Sequence, residues 1–151
     1  MMASDIERFM RESNWIEFER EDNETGELHE NDVAAAKKFL SSPLTEESLK
    51  TLHFSLSEGR DILRGDYRQC NVIVGGHTPP GWPHVPALMS NFFLDLSKMT
   101  PWEAHCKYEK IHPFEDLNGR TGRLLWLHKM KGRMDLSFLH AFYYQTLSQF
   151  K

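Results

Sequence analysis

The twelve residues from His112 to Arg123, HPFEDLNGRTGR, constrain the fold of this chain more than any other stretch. Pro113 biases His112 away from the helical region, so a helix arriving from Trp102 stops near Ile111. Pro113 to Asn118 then reads as a loop. From Gly119 onward Leu124, Leu125, Leu127 and Met130 suit a second helix, with Asn118 as its N-cap. The chain must therefore build two helices joined by a short, polar, charged turn.

That turn has the parts of a phosphate site. The first turn of a helix leaves backbone N–H groups unpaired and carries partial positive charge, which makes it an anion seat. Arg120 and Arg123, three apart, add two full charges on neighbouring positions. Exposed cations at a helix N-terminus oppose the dipole at roughly 0.3–1 kcal/mol each, and a bound polyanion reverses that sign. Asp116 would repel phosphate by itself, but Mg²⁺ is usually held by one or two carboxylates together with substrate phosphates. His112, with an ordinary pKa of about 6.5, can take a proton from an incoming hydroxyl.

The stretch resembles the signature of the Fic family of the Fic/Doc superfamily: His-Pro-Phe, any residue, an acid, Gly-Asn-Gly-Arg, two of any kind, then Arg. It matches at His112, Pro113, Phe114, Asp116, Asn118, Gly119, Arg120 and Arg123, while Leu117 stands where the family usually has Gly. The resemblance implies transfer of AMP from ATP to a Ser, Thr or Tyr hydroxyl of a target protein, with pyrophosphate leaving. It makes His112 the general base and Asp116 the Mg²⁺ ligand. Leu117 through its backbone, Asn118 and Gly119 would form the anion hole, Arg120 would hold the β-phosphate and Arg123 the γ-phosphate, and Phe114 would anchor the loop in the core. If Leu117 needs a left-handed backbone, its Cβ costs roughly 1–2 kcal/mol. Either the angle is ordinary here or the hole is remodelled. Two rival readings stand beside this one: another nucleotidyl or phosphoryl transferase of the same fold, and a non-catalytic nucleotide-binding regulatory module.

Ser4 and Glu7 form a capping-box pair, and Ile6, Phe9, Met10, Ser13 and Ile16 follow at helical spacing. A first helix is expected from Ser4 to about Arg20. Within it Ser13 and Glu17 share one face. The run Ser13-Asn-Trp-Ile-Glu17 resembles the inhibitory helix of many Fic proteins, in which Ser or Thr is followed four residues later by Glu and then by Gly or Asn. Here Phe18 holds that last position. The resemblance implies that Glu17 pairs with Arg123, which cannot also hold ATP in its productive pose. Residues 4–20 are thus a candidate inhibitory helix.

The other elements follow from caps and periodicity. Residues 21–30 read as an acidic loop. Asn31 or Asp32 opens a helix carrying Val33, Ala36, Phe39 and Leu40, and Thr45 opens another carrying Leu49, Leu52, His53 and Leu56. Pro83 to Leu96 forms a helix, Thr100-Pro101-Trp102-Glu103 starts the next, and Asp135 or Ser137 starts the last. Between them Val72, Ile73 and Val74 favour extended structure and Gly75-Gly76 a turn. The resemblance makes this hairpin a flap over the site, whose edge takes up a target segment by strand addition. His53, His77 and His105 read as structural or solvated rather than as metal ligands.

The expected fold is mainly α, about seven helices in a Fic-type bundle with one short β-hairpin flap, and residues 1–151 form a single Fic domain. A net charge of −4 and a pI near 6.0 give no global field for nucleic acid, so no nucleic-acid partner is expected. No run of eighteen apolar residues is present, so no membrane partner is expected either. Cys70 and Cys106, without a CxxC, suit free thiols in a reducing cytosol. The expected location is cytoplasmic, with export as an effector left open; a homo-oligomer is likewise left open. The cofactors implied are ATP and Mg²⁺.

Overall fold

A computed structural model describes residues 3–18 and 29–130, without the side chains of residues 3, 4 and 15–18. Among the described residues the chain forms six α-helices: α1 Ala3–Phe18, α2 Glu30–Leu40, α3 Glu46–Leu56, α4 Val85–Asp95, α5 Pro101–Ile111 and α6 Asn118–Met130. Short 3₁₀ turns at Trp82–His84 and Leu96–Lys98 flank α4. The helix expected after Asp135 lies outside the described residues. So do Arg20 and the loop from 21 to 28.

Local chemistry explains most boundaries. Thr45 accepts from Ser48 N–H, and the Ser48 hydroxyl oxygen accepts from Thr45 N–H, a reciprocal cap that starts α3. Thr100 and Glu103 do the same for α5, with Pro101 in the first turn. The start of α2 departs from expectation. Glu30, not Asn31 or Asp32, begins that helix, and His29 at its N-cap makes no side-chain cap. Its carbonyl instead accepts from the N–H groups of Asp32 and Val33.

Helix α6 is the axis of the molecule. Residues 121–128 are all buried, so this helix has no solvent face. Leu124, Trp126 and Leu127 pack with Ile6, Phe9 and Met10 of α1 and with Val33, Ala36 and Phe39 of α2. Leu125 points the other way, into a second cluster with Met89, Phe92, Tyr108 and Phe114. Burial on both sides fixes α6 in rotation, and with it the two arginines of its first turns.

The expected β-hairpin is reduced to a single contact. Among the described residues there is no strand, only an isolated antiparallel bridge between Val74 and His77, closed by His77 N–H on Val74 C=O at 3.1 Å. Gly76 in the turn has φ +96°, open to glycine without strain. Pro79 and Pro80 bring no N–H with which to extend the ladder, and a lone hairpin is marginal in water. Val72 and Val74 are half-buried, while Ile73 is 93% exposed. No described helix is long and apolar enough to cross a membrane.

Candidate active site

Helix α5 ends where the sequence places its stop, but by a different geometry. His112 caps the helix in the left-handed region, φ 52° and ψ 64°, not in the extended conformation that a following proline favours. Its N–H still reaches Tyr108 C=O at 3.0 Å. The freed carbonyls of Ile111 and His112 accept from the Arg68 guanidinium at 3.2 and 2.7 Å. This places His112 at the surface of the junction, partly exposed, on a backbone held from behind.

The loop that follows is pinned residue by residue. Phe114 is fully buried, stacked on His53 and tilted against Tyr67. Asn118 closes the loop with both ends of its amide: Oδ1 accepts from Phe114 N–H and Nδ2 donates to Phe114 C=O, each at 2.8 Å. Asn118 is therefore the first residue of α6 and a clamp across the loop, not the N-cap expected. Leu117 precedes the helix, and its carbonyl takes the N–H and the hydroxyl of Thr121 at 3.0 and 2.9 Å. Its φ is +69°, so the left-handed backbone is kept although the residue carries a Cβ. The leucine side chain is 6% exposed, and its burial, worth about 1.5–3 kcal/mol, offsets the strain.

The acid of the motif faces outward. Asp116 Oδ1 accepts from Leu117 N–H at 2.8 Å, so that N–H is engaged by its neighbour rather than presented to an anion. Asp116 Oδ2 meets Arg60 Nη1 at 2.9 Å, with the two side chains 50% and 32% exposed. At that exposure the pair contributes about 0–1 kcal/mol and yields readily to a competing cation. Among the described residues no group of three or more His, Cys, Asp or Glu could hold a metal ion. One accessible carboxylate is nevertheless the protein share that Mg²⁺ takes when phosphates supply the rest, so Asp116 fits that ion.

The two arginines differ. Arg120 is partly buried beside a cavity of about 20 Å³ that Met10, Ser13 and Asn14 of α1, Asp32 of α2 and Leu117 also line. Burial raises the Asp32 carboxyl above the usual range, opposed by the charges of His29, Arg120 and Arg60. Arg123 is 1% exposed. Its Nε donates to Ser13 Oγ at 2.6 Å and its Nη2 to Ser13 C=O at 3.1 Å. Helix α1 thus lies directly over the guanidinium that the resemblance gives to the γ-phosphate. Glu17 is one turn further along α1, and its side chain lies outside the described residues.

His53 and Arg60 hold the loop without any motif to announce them. Gly65 N–H donates to His53 Nδ1 at 3.0 Å, which leaves the proton on Nε2 to reach Asp116 C=O at 3.1 Å. Burial pushes this imidazole below its ordinary pKa, so it stays neutral. Its periodicity on α3 pointed to the core, which is where it sits, but not to the bonds. Glu115, free to vary in the motif, accepts from Leu63 N–H at 3.2 Å and ties the same loop to the segment after α3.

Known proteins are similar to this chain in sequence and in fold. The Fic/DOC family model matches residues 43–128. The protein adenylyltransferase Fic of Culex quinquefasciatus is 37% identical over 108 residues, covering 60% of this chain and 22% of that protein. The protein of the same name from Drosophila ananassae is 37% identical over 106 residues, covering 60% and 21%. The chain thus spans about a fifth of the length of these curated relatives. Among solved structures, a Fic family protein from Desulfovibrio desulfuricans superposes with a TM-score of 0.69 at 19% identity, covering 99% of this chain and 59% of that one. A Fic domain containing signaling protein from Bacteroides thetaiotaomicron gives 0.61 at 21% identity, covering 99% and 75%. These two share the fold. The family model spans more than half of the chain and takes in the left-handed turn at His112, the amide-clamped loop and the buried helix α6, so this chain is a member of the Fic/DOC family.

Proposed function

We propose that this chain transfers AMP from ATP to a Ser, Thr or Tyr hydroxyl of a target protein. The observation that carries the reading is the α5–α6 junction, where His112, Asp116 and Arg120 flank one buried helix start. The His112 imidazole takes the proton of the target hydroxyl. The hydroxyl oxygen bonds to the α-phosphorus as the bond from that phosphorus to the bridging oxygen breaks, and pyrophosphate departs. Arg120 balances the charge of the β-phosphate. When bound, Mg²⁺ supplies further charge neutralisation along the phosphates, with Asp116 as the residue that would hold it. Curated relatives named protein adenylyltransferase support the reaction class.

In the same reading α1 is inhibitory. Arg123 is occupied by Ser13, and the space left beside Arg120 is about 20 Å³, room for one water but not for a phosphate group. Glu17, one turn on, would complete the block. The exposed stretch around Val72, Ile73 and Val74 would receive the target as an added strand, since its main-chain groups carry only one bridge of their own.

Purified protein with lysate and ATP labelled at the α- or the γ-phosphate tests this. Label should pass from the α position only. Replacing His112 by Ala should lower it about 10²–10⁴-fold, and Glu17→Gly should raise it. Label from the γ position would mean phosphoryl transfer instead, and none from either, even with Glu17→Gly, would mean a binding module.

A further inference from the structure

Arg68 is among the most buried side chains of the molecule, at 1% exposure, yet every acceptor it meets is a backbone carbonyl. Nε donates to His112 C=O at 2.7 Å, Nη1 to Cys70 C=O at 3.0 Å, and Nη2 to Pro80 C=O at 2.6 Å and Ile111 C=O at 3.2 Å. Its own N–H donates to Pro113 C=O at 2.9 Å. Two of these carbonyls are the negative end of α5, which a cation stabilises. The other two are the roots of the projecting stretch 71–79. One guanidinium therefore ties both feet of that stretch to the backbone of His112.

Among the described residues the stretch has few polar contacts of its own to hold it at that distance. Its own ladder is one bridge, and its tip is in solvent. Beyond Arg68, Trp82 N–H donates to Asn71 Oδ1 at 3.0 Å across the roots. A planar fork with donors on three nitrogens can span four carbonyls from two segments, whereas the ammonium of Lys is a single point.

We propose that Arg68 is a positioning residue that sets the separation between the target-bearing stretch 71–79 and the proton acceptor His112. This rests on the reading of His112 as the base and of the stretch as the docking edge. A misplacement of about 1 Å between reacting groups can cost 10²-fold in rate. Arg68 thus acts on the transfer step and leaves the nucleotide site on α6 in place.

Arg68→Lys separates this role from a purely structural one. Hydrogen exchange at the amides of His77, Trp82 and His112 should accelerate together by at least tenfold, while Leu49 N–H in the α3 cap exchanges as in wild type. In the same variant kcat for target labelling should fall about 100-fold, with the Kd for ATP, measured by calorimetry, within twofold of wild type. Unchanged exchange at the three amides would overturn the proposal, as would a loss of ATP affinity that matches the loss of kcat. Should the variant not fold, native-state exchange of the wild-type chain in low denaturant decides. The amides of Arg68, Trp82 and His112 must then open as one unit, and separate openings refute the link. A chain that labels no target even with Glu17→Gly defeats the catalytic reading, and the exchange data still decide whether Arg68 joins the two segments.

Discussion

The imidazole of His53 lies flat on the ring of Phe114, with centroids 3.9 Å apart and planes 7° from parallel. Through this stack α3 holds the fully buried aromatic ring of the motif. The same imidazole bonds Gly65 N–H and Asp116 C=O with its two nitrogens, so packing and polar contacts converge on a single neutral ring. His53→Ala should cost about 3–5 kcal/mol, as for removal of a buried aromatic ring. His53→Phe keeps the stack but strands two backbone groups, for about 1–3 kcal/mol. Urea unfolding of both variants ranks them, and a His53→Phe protein as stable as wild type would show that the bonds contribute nothing.

Leu117 sets two effects against each other. Its left-handed backbone costs roughly 1–2 kcal/mol, which glycine would recover. Its buried side chain is worth more, since large-to-small changes in a core cost about 2–5 kcal/mol. Leu117→Gly should therefore destabilise by about 1–3 kcal/mol, less than Leu124→Ala in the adjoining cluster. Comparing the two urea midpoints checks the order. A Leu117→Gly protein more stable than wild type would mean that strain outweighs burial.

Gly122, a position the motif leaves open, is closed by its surroundings. A Cβ there would meet Glu109 Oε1 at 2.5 Å and Tyr108 Cδ1 at 2.9 Å. The carboxylate can swing aside, but the Tyr108 ring is fully buried and bonded to Thr121 Oγ1 at 2.6 Å. Alanine favours a helix over glycine by about 0.8–1 kcal/mol, while overpacking costs about 1–3 kcal/mol. Gly122→Ala should thus lose stability on balance and push α6 away from α5, carrying Arg120 and Arg123 with it. Calorimetry with ATP should show weaker binding alongside a lower Tm; tighter binding would contradict this account.

The parts of this molecule legible in the sequence are those set by local chemistry. Thr45 and Thr100 announce their helices because a cap is a contact within four residues. Pro113 announces the end of α5 for the same reason. The helix that carries Ser13 was visible in its period, and its burial against Arg123 needed a resemblance to suggest it. What the sequence hides is what tertiary contact decides. Nothing near Arg68 signals a buried cation, because its partners are carbonyls, which every residue has. The left-handed angle at His112 overrides a proline bias since Arg68 and Tyr108 hold its two sides. The hairpin expected from Val72 to Val74 is reduced to one bridge because β propensity reflects packing on neighbouring strands, and none is supplied among the described residues.

Acid should unfold this protein through its buried imidazoles. His105 is enclosed between α5 and α6, donates from Nδ1 to Gly122 C=O at 3.0 Å, and is pushed down to about 4 by burial. In the unfolded chain the same group titrates near 6.5. Above that pH both states hold it neutral, and its contribution is constant. As pH falls from about 6.5 to about 4 the unfolded chain takes up a proton that the folded chain refuses, so stability drops by roughly 1.4 kcal/mol per unit, about 3 kcal/mol in all. His53, lowered by burial as well, adds a loss of the same sign. Asp32, raised by burial, acts in the opposite sense as pH rises above its ordinary range near 4, so the total slope mixes the two. The difference between wild type and His105→Gln isolates the imidazole. Urea unfolding from pH 7.5 to 4.5 should show the wild-type curve falling more steeply by about one proton, and parallel curves would mean that His105 titrates alike in both states.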